Sequence, residues 1–133
     1  MKRTVYWEQG RYIPDAMAEI DKHLRDFRTG SIHRIDPRLL DLLSLVHDEL
    51  EATQPFHVIS GYRSPLTNRQ LRRAGRHVAD NSFHTRGMAI DVRVPGRDPG
   101  KLRRIALRQK VGGVGFYRKL GFVHLDVGPV RYW

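Results

Sequence analysis

Apolar residues recur at helical spacing through the first half of the chain and alternate in the second. Ile13, Met17, Ile20, Leu24 and Phe27 follow one another at steps of four and three, which predicts an amphipathic helix across 12–28 with Pro14 in its first turn. Leu39, Leu43, Val46 and Leu50 repeat the pattern behind Asp36 as N-cap and Pro37 at the first helical position. "HVISGY" (57–62) is a short β-rich run that stops at a glycine. Ser64 and Pro65 open a third helix that Gly75 would end, and Asp98 with Pro99 opens a fourth. In "GMAIDVRVPG" (87–96), Met88, Ile90, Val92 and Val94 share one face, and Ala89, Asp91 and Arg93 share the other. "VGGVGFY" and "GFVHLDVG" then read as a strand, a turn and a second strand. Helices come first and strands gather late. The order predicts an α+β fold, with helices packed on one side of a small antiparallel sheet and residues 1–133 forming one domain.

The alternation also says where chemistry can stand. In "GFVHLDVG" the Val123, Leu125 and Val127 face is the natural core face, so Phe122, His124 and Asp126 project together from the opposite side. Asp91 leaves the core in the same sense from its own strand. If the two strands are neighbours, Asp91, His124 and Asp126 share one patch. Gly87 can turn the chain so that His84, seven residues before Asp91, swings back over it. Two imidazoles and a carboxylate with a position left for water is the make-up of a catalytic zinc site. The plainer alternative is a His–Asp hydrogen bond that serves packing alone, and spacing does not separate the two. His23 and His47 fall on helices among polar neighbours and are expected to face solvent. His33 and His57 have no partner that the sequence identifies, and His77 and Asp80 are expected to be solvated loop residues.

Composition narrows the field. The chain has no cysteine, which excludes disulfides, thiolate metal sites and cysteine nucleophiles, so any metal must be held by His, Asp or Glu. No run approaches the eighteen apolar residues of a membrane span, and the first residues lack the apolar core of a signal peptide. The formal net charge of +10 attracts polyanions: nucleic acid, an anionic membrane surface or an acidic cell-wall polymer. The densest basic patch, "RQLRRAGRH" (69–77), lacks the interleaved aromatics of a single-strand binder and follows no DNA-reading motif.

Three stretches, in this order, resemble one family: "SGYRSPLTNRQLR", "SFHTRGMAIDVRV" and "GGVGFYRKLGFVHLDVGPVRYW". They are similar to the MepK-like murein endopeptidases, of the superfamily that unites lysostaphin, the D-Ala-D-Ala metallopeptidases and the hedgehog signalling domain. "GRYIPDAMAEIDKHLRDFRTGSIHRIDPRLLDLL" is similar to the family's N-terminal helices.

The resemblance implies one Zn2+ held by His84, Asp91 and His124. It implies hydrolysis of peptidoglycan cross-links, at D-Ala–diaminopimelate or diaminopimelate–diaminopimelate bonds, in the periplasm or envelope. Arg63 matches an arginine that faces substrate near the metal, and Ser82 matches a serine two residues before the first ligand. Related branches place a catalytic glutamate or histidine at positions held here by Gly121 and Phe122. Asp126 is therefore the expected base or water-orienter, with Arg63 expected to stabilise the oxyanion. Ser82 has loop capping as its alternative role. Tyr117, Arg131 and Trp133 are candidates to line a groove, with packing as the alternative for Trp133. The expected partners are peptidoglycan stems, without nucleic acid or a membrane span, and with a monomer favoured. The competing readings are a zinc-containing wall-binding module without catalysis, and a basic nucleic-acid-binding domain.

Overall fold

The computed structural model describes residues 7–8, 11–12, 14–75 and 82–133. Two short strands, β1 (Trp7–Glu8) and β2 (Arg11–Tyr12), pair with each other in an antiparallel ladder. Helices α1 (Pro14–His23) and α2 (Pro37–Leu50) follow, then β3 (His57–Ser60) and α3 (Pro65–Arg73). A single 3-10 turn (Phe83–Arg86) leads into β4 (Ala89–Arg93). Helix α4 (Pro99–Gln109) precedes β5 (Gly113–Tyr117), β6 (Phe122–Asp126) and β7 (Arg131–Tyr132).

The helix starts are those the sequence predicts. The side chains of Asp36, Ser64 and Asp98 each accept a backbone N–H of the first turn, with proline at the start of the helix behind each cap. The first helix is shorter than its apolar period suggests. It ends at His23, and Phe27 lies 65% exposed beyond it. The cause is Asp26, whose carboxylate accepts the backbone N–H groups of Arg28 and Thr29 and so closes a turn where the helix would have continued. Ile13 lies outside the described residues, as do His77 and Asp80.

Five strands form one sheet in the order β3-β4-β6-β5-β7. All neighbours are antiparallel except β5 and β7, which run parallel, so the sheet is mostly antiparallel as expected. The core lies on one face. Ile90, Val92, Val123 and Leu125 meet Leu39, Leu43, Val46 and Leu50 of α2 and Leu102, Ile105 and Ala106 of α4. Ile20 and Leu24 close its edge. Helix α3 stands apart from this arrangement, and its Thr67 and Leu71 line a cleft instead.

Candidate metal centre and cleft

The two middle strands place the candidate ligands. In the β4–β6 ladder Asp91 is the direct partner of His124, and Ala89 is the partner of Asp126. Strand period does the rest: Val123 and Leu125 point to the core, so His124 rises from the sheet beside Asp91. His84 arrives from the 3-10 turn, which Ser82 caps with its hydroxyl and Gly87 ends at φ 67°. A side chain at Gly87 would collide with the carbonyl of Arg34, so the sharp return to β4 needs glycine twice over.

Nitrogen and oxygen atoms of His84, Asp91 and His124 lie within 4.8 Å of one another, and all three residues are buried. His84 Nε2 is 3.2 Å, and His124 Nδ1 3.0 Å, from the same oxygen, Asp91 Oδ1. The outer nitrogen of each ring is engaged elsewhere. His84 Nδ1 is 2.8 Å from the carbonyl of Gly61, which can only accept, so Nδ1 carries the proton and Nε2 keeps its lone pair. His124 Nε2 donates to Asp126 Oδ2 at 2.7 Å, which leaves the lone pair on Nδ1. With both rings neutral, three electron-rich atoms therefore converge. Their mutual repulsion is relieved by a cation at the centre, and nitrogen with oxygen donors suits a borderline divalent metal. The hydrogen-bonded outer nitrogens are the usual support of metal-binding histidines.

Charge in the cluster follows from its neighbours. Burial opposes ionisation of Asp91, yet His84 and His124 outweigh it and hold the carboxyl well below the usual carboxylate range. Without a cation the same surroundings favour a proton instead: burial disfavours a charged His124, but Asp126 and Asp91 overcome it and raise its pKa, so proton and metal compete for Nδ1.

Asp126 does not occupy the place expected of a base. It is 0% exposed, does not line the cleft, and bonds His124 Nε2 through Oδ2. Arg131 donates to both its oxygens, at 3.0 and 2.9 Å, and the N–H groups of Gly113 and Gly128 donate to Oδ1. Burial alone would raise its carboxyl, but the bonds from His124, Arg131 and Gly113 keep it well below the ordinary range. A carboxylate so enclosed is a poor proton acceptor. The alternation that put Asp126 on the metal side of the sheet could not show that Arg131 and the N–H groups of Gly113 and Gly128 enclose it.

The cleft above the cluster has a volume of about 860 Å3. Arg63, Ser82 and Tyr117 all line it. Arg63 is mostly buried: its Nε has no partner among the described residues, and its NH2 donates to Ser82 Oγ at 3.3 Å. Burial lowers its pKa, and the charge of Asp91 acts the other way. Ser82 Oγ also accepts the His84 N–H, so the serine both caps the turn and holds Arg63. Trp133 Nε1 donates to the Tyr117 hydroxyl at 3.1 Å, and its indole lies against His124 with ring centres 5.0 Å apart. Gly115, the β5 partner of His124, makes room for that indole. His47 is not simply solvated, because its Nε2 meets the carbonyl of Gln54 at 2.7 Å.

The residues the sequence did not single out are Gly61, Gly115 and the turn around Asp26. Gly115 left a trace, since isolated glycines inside a strand signal close approach of another group. The carbonyl of Gly61 left none.

Over residues 1–133 the chain matches the family described as peptidoglycan L,D-endopeptidase MepK. The chain belongs to that family. It is 42% identical to the peptidoglycan L,D-endopeptidase MepK of Escherichia coli strain K12 over 131 residues, which is 98% of this chain and 72% of that protein. To the probable MepK of Haemophilus influenzae it is 39% identical over 123 residues, 92% of this chain and 66% of the relative. The crystal structure of the Serratia marcescens L-Ala D-Glu endopeptidase ChiX shares the fold, with a TM-score of 0.50 at 23% identity over 84% of this chain and 86% of that one. Membership of the MepK family makes the chain a metallopeptidase, in agreement with the resemblance read from the sequence.

Proposed function

We propose that the chain is a zinc-dependent endopeptidase that hydrolyses peptide cross-links of peptidoglycan in the bacterial envelope. The bond cut joins D-Ala to diaminopimelate or one diaminopimelate to another. One observation carries this reading: the lone pairs of His84 Nε2 and His124 Nδ1 meet Asp91 Oδ1 at the floor of an open cleft. The family names of the relatives support the substrate.

His84, Asp91 and His124 are the ligands in this reading. When bound, the metal supplies Lewis acidity toward the scissile carbonyl and the attacking water. The protein residues position and donate. Asp126 fixes the orientation and tautomer of His124 through Nε2, and Arg131 fixes Asp126. Arg63, with an unpartnered buried Nε, presents positive charge toward oxygen that becomes negative during acyl transfer. Ser82 holds the guanidinium in place. The Tyr117 hydroxyl accepts from Trp133, so its own hydrogen is left to donate into the cleft toward substrate.

Purified sacculi incubated with the zinc-loaded chain should yield fewer cross-linked muropeptides and more monomers by mass spectrometry. A chelator should stop the release and zinc should restore it, while His84→Ala or His124→Ala abolishes it. New amino termini separate hydrolysis from mere binding of zinc and wall. An unchanged muropeptide profile would overturn the proposal.

A further inference from the structure

The cleft has two unlike sides. On the β5–β7 side stand Tyr117, Phe122 and Trp133, aromatic and partly stacked on each other. On the β3 side stands the turn after α1, docked by the Tyr62 N–H on the Leu24 carbonyl at 2.8 Å. That turn is built on Asp26. Its carboxylate accepts the N–H groups of Arg28 at 2.8 Å, Thr29 at 3.2 Å and, across the fold, Ser64 at 2.9 Å. The Asp26 backbone adds bonds to Gly30 and Ser31. A turn tied at so many points holds its backbone, and so the roots of its outward side chains, in place, which is what a recognition element requires.

At the cleft those side chains are Phe27 and Arg28. Arg28 is exposed, and its guanidinium has no carboxylate partner among the described residues. Its charge opposes that of Arg63 nearby. Asp91 and Asp26 act the other way on Arg63, whereas the Arg28 guanidinium itself has no ion-pair partner among the described residues. An exposed guanidinium beside the cleft that no described carboxylate engages is open to an anion on a bound peptide, through charge-assisted hydrogen bonds.

We propose that Arg28 is a specificity residue that reads a free carboxylate on the peptide being cut, on the β3 side of the cleft. The proposal rests on the peptidase reading above. It gives substrate a polarity: the carboxylate-bearing part lies toward Arg28, and the less charged part lies toward Tyr117 and Trp133.

The test compares two purified cross-linked muropeptide dimers, one with its diaminopimelate carboxylates free and one with them amidated. For the native zinc-loaded chain, amidation should lower kcat/KM by about tenfold, mainly through KM, the size expected of a charge-assisted bond at a hydrated rim. Arg28→Ala should lose about tenfold on the free acid and respond less than about twofold to amidation. Arg28→Lys should keep part of the response. Arg25→Ala removes the same charge from the same turn, but Arg25 packs over the Phe27 ring and donates to the Lys22 carbonyl outside the cleft. It should respond like the native chain. Equal amidation penalties in native and Arg28→Ala, or the same loss in Arg25→Ala, would overturn the proposal while leaving the peptidase reading intact. A native chain that cuts neither dimer would overturn both.

Discussion

Replacing Asp126 by asparagine separates two roles that a carboxylate beside a metal-binding histidine can play. Asp126 accepts from His124 Nε2 and Arg131 at Oδ2, and from Arg131, Gly113 and Gly128 at Oδ1. Asparagine keeps one acceptor. Three donors surround Oδ1, so the amide carbonyl should settle there and turn its NH2 toward His124. That opposition favours a proton on His124 Nδ1, the nitrogen that faces Asp91. Zinc affinity should then fall by about 10–100-fold, or about 1.4–2.8 kcal/mol. The metal-free chain should lose about 1–3 kcal/mol of stability with the charge-assisted bonds. Competition against a chromophoric chelator measures the first quantity and urea unfolding the second. Muropeptide cleavage, followed as zinc is titrated in, should recover most of its native rate at saturating metal. The opposite pattern, native zinc affinity with a rate still depressed by orders of magnitude at saturation, would refute the positioning role and return Asp126 to service as a base.

Two other expectations follow from the turn and strand that support the site. Burial works against ionisation of Asp26, but bonds from Ser64, Thr67, Arg28 and Thr29 lower its pKa to about 2 from 3.8. A depressed carboxyl stabilises the fold above its unfolded pKa, and the contribution is lost as pH falls toward the folded value. Native protein should exceed Asp26→Asn by about 1–2 kcal/mol at neutral pH, after allowing for solvent near the turn, and the gap should close between about pH 4 and pH 2. Urea unfolding across that range checks it, and a gap that does not shrink would contradict the assignment. In Gly61→Ala, the added carbon would sit 2.7 Å from the Leu24 carbonyl oxygen. Relief of that clash moves the carbonyl that accepts from His84, so stability should drop by about 1–3 kcal/mol and zinc should bind more weakly. Calorimetric zinc titration showing native affinity would mean that the Gly61 carbonyl does not orient His84.

The local code was legible in the chain. Asp36, Ser64 and Asp98 before proline fix three helix starts, because a side-chain acceptor, a preset φ and the orphan N–H groups of a first turn lie within four residues. Alternation in 88–94 and 122–127 fixes which side chains leave the core, because strand period is two whatever the neighbours are. It thus placed Asp91 and His124 off the core, although it could not pair their strands.

Pairing belonged to the tertiary structure. The register that sets Asp91 opposite His124, the Gly61 carbonyl behind His84 and the indole of Trp133 over Gly115 join residues tens of positions apart. The surroundings of Asp126 were hidden for another reason: the turn after β6 brings Arg131 back onto it and the sheet brings in the Gly113 N–H, and neither follows from strand period. The end of α1 was hidden in part locally, where a continuous apolar period met a side chain that bonds the N–H groups just after it, and in part by the distant Ser64 that holds that side chain. Periodicity records which way a residue points; what stands in front of it depends on segments brought together only when the core closes.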